Sequence, residues 1–272
     1  MNFLTHDIVH PLFKWIHIVA GVMWIGILYF FNFINGAFAG TMDAETKRKV
    51  VPELMPRALF WFRWGAFWTW ISGIVLLLAI FWIGNLSMGE LDQSTAMIDS
   101  GKVSEVTPFT HFMLLLTFLS VFVYDFLYKS FLAKNVRLST VISFALIGLM
   151  IYLMTSYAGF TYRAFNIHIG AMFGTIMAFN VWFRIWPAQQ RIITAIKEGN
   201  APDGDDVALA GLRSKHNTYL SVPLIWTMMN QHTTVLAGKL FNMEGLVLLV
   251  VIAVGWHIVF QFYKKSGKIS GF

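Results

Sequence analysis

Six of the eight histidines in this chain fall inside long apolar runs or at their ends: His17, His111, His168, His216, His232 and His257. An imidazole set among hydrocarbon side chains faces a cavity, pairs with another polar group or binds a ligand. His17 sits in the stretch KWIHIVAGVMWIG, where His17, Gly21, Trp24 and Leu28 recur at i, i+4, i+7 and i+11. On a helix these four share one face. A histidine on such a face can simply hydrogen-bond a neighbouring helix. Gly21, one turn away, adds the reading that space beside the imidazole admits a flat ligand, with Trp24 on the same side. Two imidazoles from different helices would hold a b-type haem without covalent links. The chain contains no cysteine, which excludes disulfides, iron–sulfur ligation and covalent c-type haem within it.

The elements that position these residues are membrane helices. Apolar side chains make up 57% of the 272 residues and charged ones 12%, far from the roughly one-quarter charged content of soluble domains. Seven segments approach the length of about 20 residues that a helix needs to span a bilayer: Pro11–Ile34, Leu59–Ile83, Pro108–Tyr128, Leu138–Tyr157, Tyr162–Trp186, His216–Leu236 and Asn242–Tyr263. They are too long and too uniformly apolar for the alternating strands of a barrel. The expected fold is an all-α, polytopic transmembrane bundle, one integral membrane domain over residues 1–272 with no internal repeat. The net charge of +6 does not point to nucleic acid, because the basic residues occupy short loops and no basic groove with stacking aromatics occurs.

Those loop charges alternate. Lys47, Arg48, Lys49 and Arg57, then Lys129, Lys134 and Arg137, then Arg184, Arg191, Lys197, Arg213 and Lys215, then Lys264, Lys265 and Lys268 share one side. The other side has Lys14, Lys102, Arg163 and Lys239. By the positive-inside rule the N-terminus is outside and the C-terminus cytoplasmic. His17 and His168 then each lie about six residues into a span entered from outside, roughly 9 Å deep at ~1.5 Å per residue. His111 is shallower and His232 approaches the same layer, so His17 and His168 form the expected axial pair, with His111 and His232 as second choices and His257 deeper in the inner half. A transition metal could also use three of these histidines, without the carboxylates that often accompany them.

Two polar groups could handle a substrate. Toward the outer face are Arg163, Asn166, Asn230, Gln231 and Asn242; toward the inner face are Arg63, Tyr124, Asp125, His216 and Asn217. A buried Asp125 near Arg63 reads most simply as an ion pair. Outside, the stretch Asn85–Thr107 carries Glu90, Asp92, Asp99 and Glu105 against Lys102. It reads as a solvated loop or as a docking patch for a basic partner such as a cytochrome c. Thr41–Val51 is expected to form a short polar helix ended by Pro52, and Pro187–Lys197 an amphipathic helix on the membrane surface.

WIHIVAGVMWIG, VYDFLYKS at Val123–Ser130, NVWFRIWPAQ at Asn180–Gln189 and SKHNTYLSVPLIWTMMNQH at Ser214–His232 together resemble the membrane domain of the bacterial cytochrome-linked urate hydroxylases, the urate oxidase N-terminal domain. The resemblance covers nearly the whole chain. It implies a protein of the bacterial inner membrane that oxidises urate to 5-hydroxyisourate and passes electrons to haem. Those enzymes join an eight-span membrane domain to a C-terminal cytochrome c, whereas this sequence has seven spans and no CxxCH. The expected acceptor is therefore a separate c-type cytochrome on the outer face. The expected urate donors are Arg163, Asn230 and Gln231, with the inner set Asp125, His216 and Asn217 as the competing site. The alternative is a non-catalytic, haem-binding or structural membrane subunit packed into a larger respiratory complex.

Overall fold

The structure, a computed structural model, describes residues 8–83, 106–230 and 243–269. Among these residues all extended regular elements are helices and no strand occurs. Helix α1 (His10–Tyr29) passes through a π-helical turn, Phe30–Asn35, into α2 (Gly36–Thr41). Helix α3 (Ala44–Leu77) ends in a second π-helical turn, Leu78–Ile83. Then come α4 (Pro108–Leu127), a 3-10 turn at Phe131–Lys134, α5 (Val136–Ser156), α6 (Tyr162–Asn180), a third π-helical turn at Val181–Ile185, α7 (Trp186–Lys197), α8 (Gly204–Met229) and α9 (Glu244–Ser266).

Six helical runs among the described residues are long and apolar enough to cross a membrane, as expected of a multi-pass membrane protein: His10–Thr41, Ala44–Trp82, Pro108–Leu127, Val136–Ser156, Tyr162–Lys197 and Glu244–Ser266. The remaining expected span, His216–Leu236, begins inside α8. That helix starts earlier, at Gly204, and its first half carries Asp205, Asp206, Arg213 and Lys215. The apolar continuation toward Leu236 lies outside the described residues, as do Gln231, His232, Asn242 and the acidic residues of the expected outer loop.

Local chemistry explains the helix ends and one departure from expectation. The Thr107 hydroxyl caps α4 by accepting from the Thr110 N–H, the Thr110 hydroxyl reciprocates, and Pro108 takes the first turn, where its missing N–H costs nothing. The Asn135 side chain caps α5 by accepting from Leu138 N at 3.1 Å. Pro52 does not end a helix: α3 runs through both Pro52 and Pro56. Each proline removes one helical bond, and the carbonyls released belong to Arg48 and Pro52 near the polar end of the helix, where water can take them. The helix expected over Pro187–Lys197 forms as α7. α7 continues from α6 through the turn at Val181–Ile185, with Pro187 at its own start.

Packing divides the chain into two compact units. The first comprises Met1–Pro11, Ile74–Ile176 and Pro223–Val254; the second comprises Leu12–Gly73, Met177–Val222 and Gly255–Phe272. The divisions fall within helices. In the first unit, Met113, Met154, Phe160, Phe165, Ile169, Leu248 and Ile252 are buried, and a Cβ on Gly245 would approach Ile151 Cγ2 to 2.8 Å. In the second unit Trp24, Leu28, Phe62 and Ala66 are buried. There α1 and α3 approach so closely at Gly65 that a Cβ would lie 3.2 Å from the Trp24 backbone nitrogen.

Candidate functional site

His17 in α1 is held by α3, within the second unit. Its Nδ1 lies 2.8 Å from the Thr69 carbonyl oxygen and 3.2 Å from Ser72 Oγ. A carbonyl can only accept, so the Nδ1 proton points to Thr69 and the Nε2 lone pair remains for a ligand. The supporting groups are fixed in turn. Thr69 Oγ1 donates to the Gly65 carbonyl at 2.7 Å, and Ser72 Oγ donates to the Trp68 carbonyl at 2.5 Å. Among the described residues Nε2 has no hydrogen-bond partner. A ring N–H anchored on a carbonyl is the usual support of a metal-bound histidine, because it fixes tautomer and orientation.

The glycine beside the imidazole is Gly73. A Cβ there would lie 3.0 Å from His17 Cε1 and 3.4 Å from Nδ1. Gly21, expected to open space for a ligand, instead faces Thr69, whose Cγ2 would be 3.7 Å from an added Cβ. Trp24 is 1% exposed, and its Nε1 has no hydrogen-bond partner among the described residues. The face shared by His17, Gly21 and Trp24 therefore packs on α3.

His168, in the first unit, is fully buried and differently held. Its Nδ1 donates to the Ala164 carbonyl at 2.7 Å, while Nε2 accepts the indole N–H of Trp82 at 3.2 Å. Phe160 and Phe81 flank the ring at centroid distances of 4.7 and 6.3 Å, and His111 lies 5.0 Å from Trp82. Both ring nitrogens of His168 are thus engaged. It can present Nε2 to iron only after the Trp82 N–H is displaced. No cluster of three or more His, Cys, Asp or Glu able to hold a metal ion occurs among the described residues. Exposed His257 in α9 faces Gln261, with Nε2 3.0 Å from the amide nitrogen.

The polar groups expected to handle substrate occur in both units. Arg163 in α6 and Asn230 after α8 belong to the first unit, and the Asn230 amide donates to the Trp226 carbonyl at 3.4 Å. Asp125, also in the first unit, pairs with Lys129 Nζ at 2.9 Å, one turn along its own helix. Arg63 belongs to the second unit, where its guanidinium lies 4.0 Å from the centroid of Trp186 and 5.0 Å from that of Trp182. Within its own unit each expected partner has a neighbour: a lysine four residues away meets the Asp125 carboxylate, and two indoles flank the Arg63 guanidinium. Asn217 is fully buried, accepting from Asn180 Nδ2 at 2.9 Å and donating to the Met177 carbonyl at 3.0 Å. It ties α8 to α6, with half-buried His216 beside it.

A second polar set, unsuspected from the sequence, surrounds a cavity of about 280 Å³ in the same unit. Asn32 and Asn35 from the turn after α1, Gln189 from α7 and Ser214 from α8 line it, with Phe31 and Phe62 among the apolar walls. Asn32 donates to the Leu28 carbonyl and to Ser214 Oγ, both at 2.9 Å, and accepts from Tyr263 OH at 2.8 Å. Deeper in the unit Tyr29 OH meets Ser221 Oγ at 2.9 Å. The signal in the sequence was the spacing Ser214, Asn217, Thr218, Ser221, which is i, i+3, i+4, i+7 on α8.

The model of the family described as "Urate oxidase N-terminal" matches residues 4–270. The chain belongs to that family. No curated protein and no solved structure matches it. Within this urate oxidase N-terminal chain, the described residues that fit a haem are His17 with its carbonyl anchor and Gly73 cradle, and, once released from Trp82, His168.

Proposed function

We propose that this chain is the membrane part of a haem-b oxidoreductase of the inner bacterial membrane, oxidising urate and passing electrons to a c-type cytochrome outside these 272 residues. Family membership supports the substrate. The observation that carries the redox reading is His17, whose Nδ1–H is fixed on the Thr69 carbonyl so that Nε2 keeps its lone pair. The bound haem would supply reversible one-electron transfer. Conversion of urate to 5-hydroxyisourate adds one water and releases two electrons and two protons, so two such transfers complete each turnover.

The protein's residues would orient and support. Thr69 and Ser72 hold the His17 ring, and Gly73 leaves room for it. Arg163 supplies the cation for anionic urate, and the amides of Asn230 and Gln231 supply neutral hydrogen bonds. The charge pattern of the loops supports an outer N-terminus and a cytoplasmic C-terminus. His168 favours the alternative of a structural subunit in a respiratory complex, since a ring saturated by Ala164 and Trp82 needs no metal.

Pyridine-haemochrome analysis of the purified protein separates the two readings. A haem b signal in the wild type that is lost in His17→Ala supports the oxidoreductase; absence of any haem signal from a folded, haem-supplemented preparation rejects it.

A further inference from the structure

The cavity in the second unit has a lining that selects for a kind of ligand. Two π-helical turns contribute to its wall, through Asn32 and Asn35 of one and Ile185 of the other. Such turns occur often at functional sites, because the extra residue re-aims the side chains that follow. Among the described residues no charged side chain lines the space, so a charged ligand would lose its water without gaining a counter-charge there.

Hydrogen-bonding capacity is concentrated at two amides. Asn32 is saturated by Leu28, Ser214 and Tyr263 and acts as frame. Asn35 Nδ2 meets only the thioether of Met55, at 3.6 Å, a weak acceptor, and its Oδ1 has no partner among the described residues. The Gln189 amide likewise has none there. Each amide presents a donor beside an acceptor, the pattern with which Asn and Gln read a heterocycle edge. Phe31 and Phe62, edge to face at 5.4 Å, offer apolar walls to a flat ring. A volume of about 280 Å³ falls just below the range for drug-sized ligands, which suits one or two fused rings.

We propose that this cavity binds a neutral, planar heterocycle carrying a lactam or imide edge, seated by Asn35 and Gln189. The inference does not depend on the oxidase reading. Urate is an anion at neutral pH, so this cation-free cavity has the opposite charge preference from the urate site proposed above.

Isothermal titration of the full chain in mild detergent at pH 7 tests it, with hypoxanthine as the neutral lactam, urate as the anion and a short-chain ubiquinone as a ring that only accepts hydrogen bonds. Hypoxanthine should bind one to one and at least about tenfold more tightly than either competitor. Asn35→Leu and Gln189→Leu should each weaken it about tenfold, the worth of one good hydrogen bond. Gly211 also lines the cavity, and a Cβ there meets nothing within 4 Å. Gly211→Leu should fill the space and abolish binding while favouring the helix. Thermal melts of all three variants close to wild type show that the fold is kept. Absence of hypoxanthine binding, equal or tighter binding of urate or quinone, or affinities unchanged in the three variants would overturn the proposal.

Discussion

The Nδ1–H of His17 donates to the main-chain carbonyl of Thr69 at 2.8 Å, joining α1 to α3 through a ring whose other nitrogen is left with its lone pair. A main-chain acceptor cannot be mutated away without moving the helix, so the ring's orientation is built into the packing of the two helices. The neighbouring glycine makes this dependence testable.

Gly73→Val should displace the imidazole, because its Cβ alone would stand 3.0 Å from His17 Cε1. Overpacking of this kind costs about 1–3 kcal/mol. A lowered melting temperature together with loss of haem is the expected result, whereas Ser72→Ala, which removes only the longer contact, should retain haem.

Trp82→Phe should leave His168 Nε2 as a buried acceptor without its donor. The cost is about 1–3 kcal/mol, read as a lower midpoint in thermal or denaturant unfolding. His111→Leu, which removes only a ring contact with Trp82, should cost less.

Asn217→Leu should destabilise by about 1–3 kcal/mol, since it removes two buried hydrogen bonds, one from Asn180 Nδ2 and one to the Met177 carbonyl. The double variant Asn180→Leu with Asn217→Leu should fall short of the sum of the two single changes, as expected when one interaction is counted twice. Strict additivity in the unfolding free energies would show that the amides are not coupled.

Arg191 holds the Asp206 carboxylate through Nε at 2.7 Å and through Nη2, and that bond lowers the Asp206 pKa below the ordinary aspartate value. The sign follows from linkage. Stability from this pair is fully present above the unfolded-state value near pH 4, and is lost as pH falls through the lower folded-state value. Asp206→Asn should therefore flatten the acid limb of a melting-temperature profile below about pH 4 and leave the neutral plateau nearly level.

The helices were legible in the sequence because length and apolar content alone decide that a segment can span a bilayer. The site was only half legible. Periodicity placed His17 on a face with Gly21 and Trp24, but which neighbour covers that face is decided by packing, and the cover proved to be Thr69, Ser72 and Gly73 on α3. Three small residues at i, i+3 and i+4 within a tryptophan-rich helix were the available clue. Asn32, Asn35 and Gln189 each read as an ordinary polar residue near a span end, and only the folding of three separate segments around one cavity distinguishes them. Pro52 misled because a proline normally ends a helix in apolar surroundings, whereas here it lies near the polar end of α3.

The chain lacks cysteine, so orientation can be read without removing any native thiol. A single cysteine in place of Lys268 should react with an impermeant maleimide only in inverted vesicles, and one in place of Lys102 only in right-side-out vesicles. The reverse pattern would invert the proposed topology.

The most direct measurement is the absorption spectrum of the purified protein before and after urate, in wild type and in His17→Ala. The account predicts a b-type Soret band that shifts to its reduced form on adding urate and reoxidises with a soluble cytochrome c, and a His17→Ala protein that melts near wild type without that band. A haem spectrum unchanged by the substitution, or a folded wild type that takes up no haem, would contradict it.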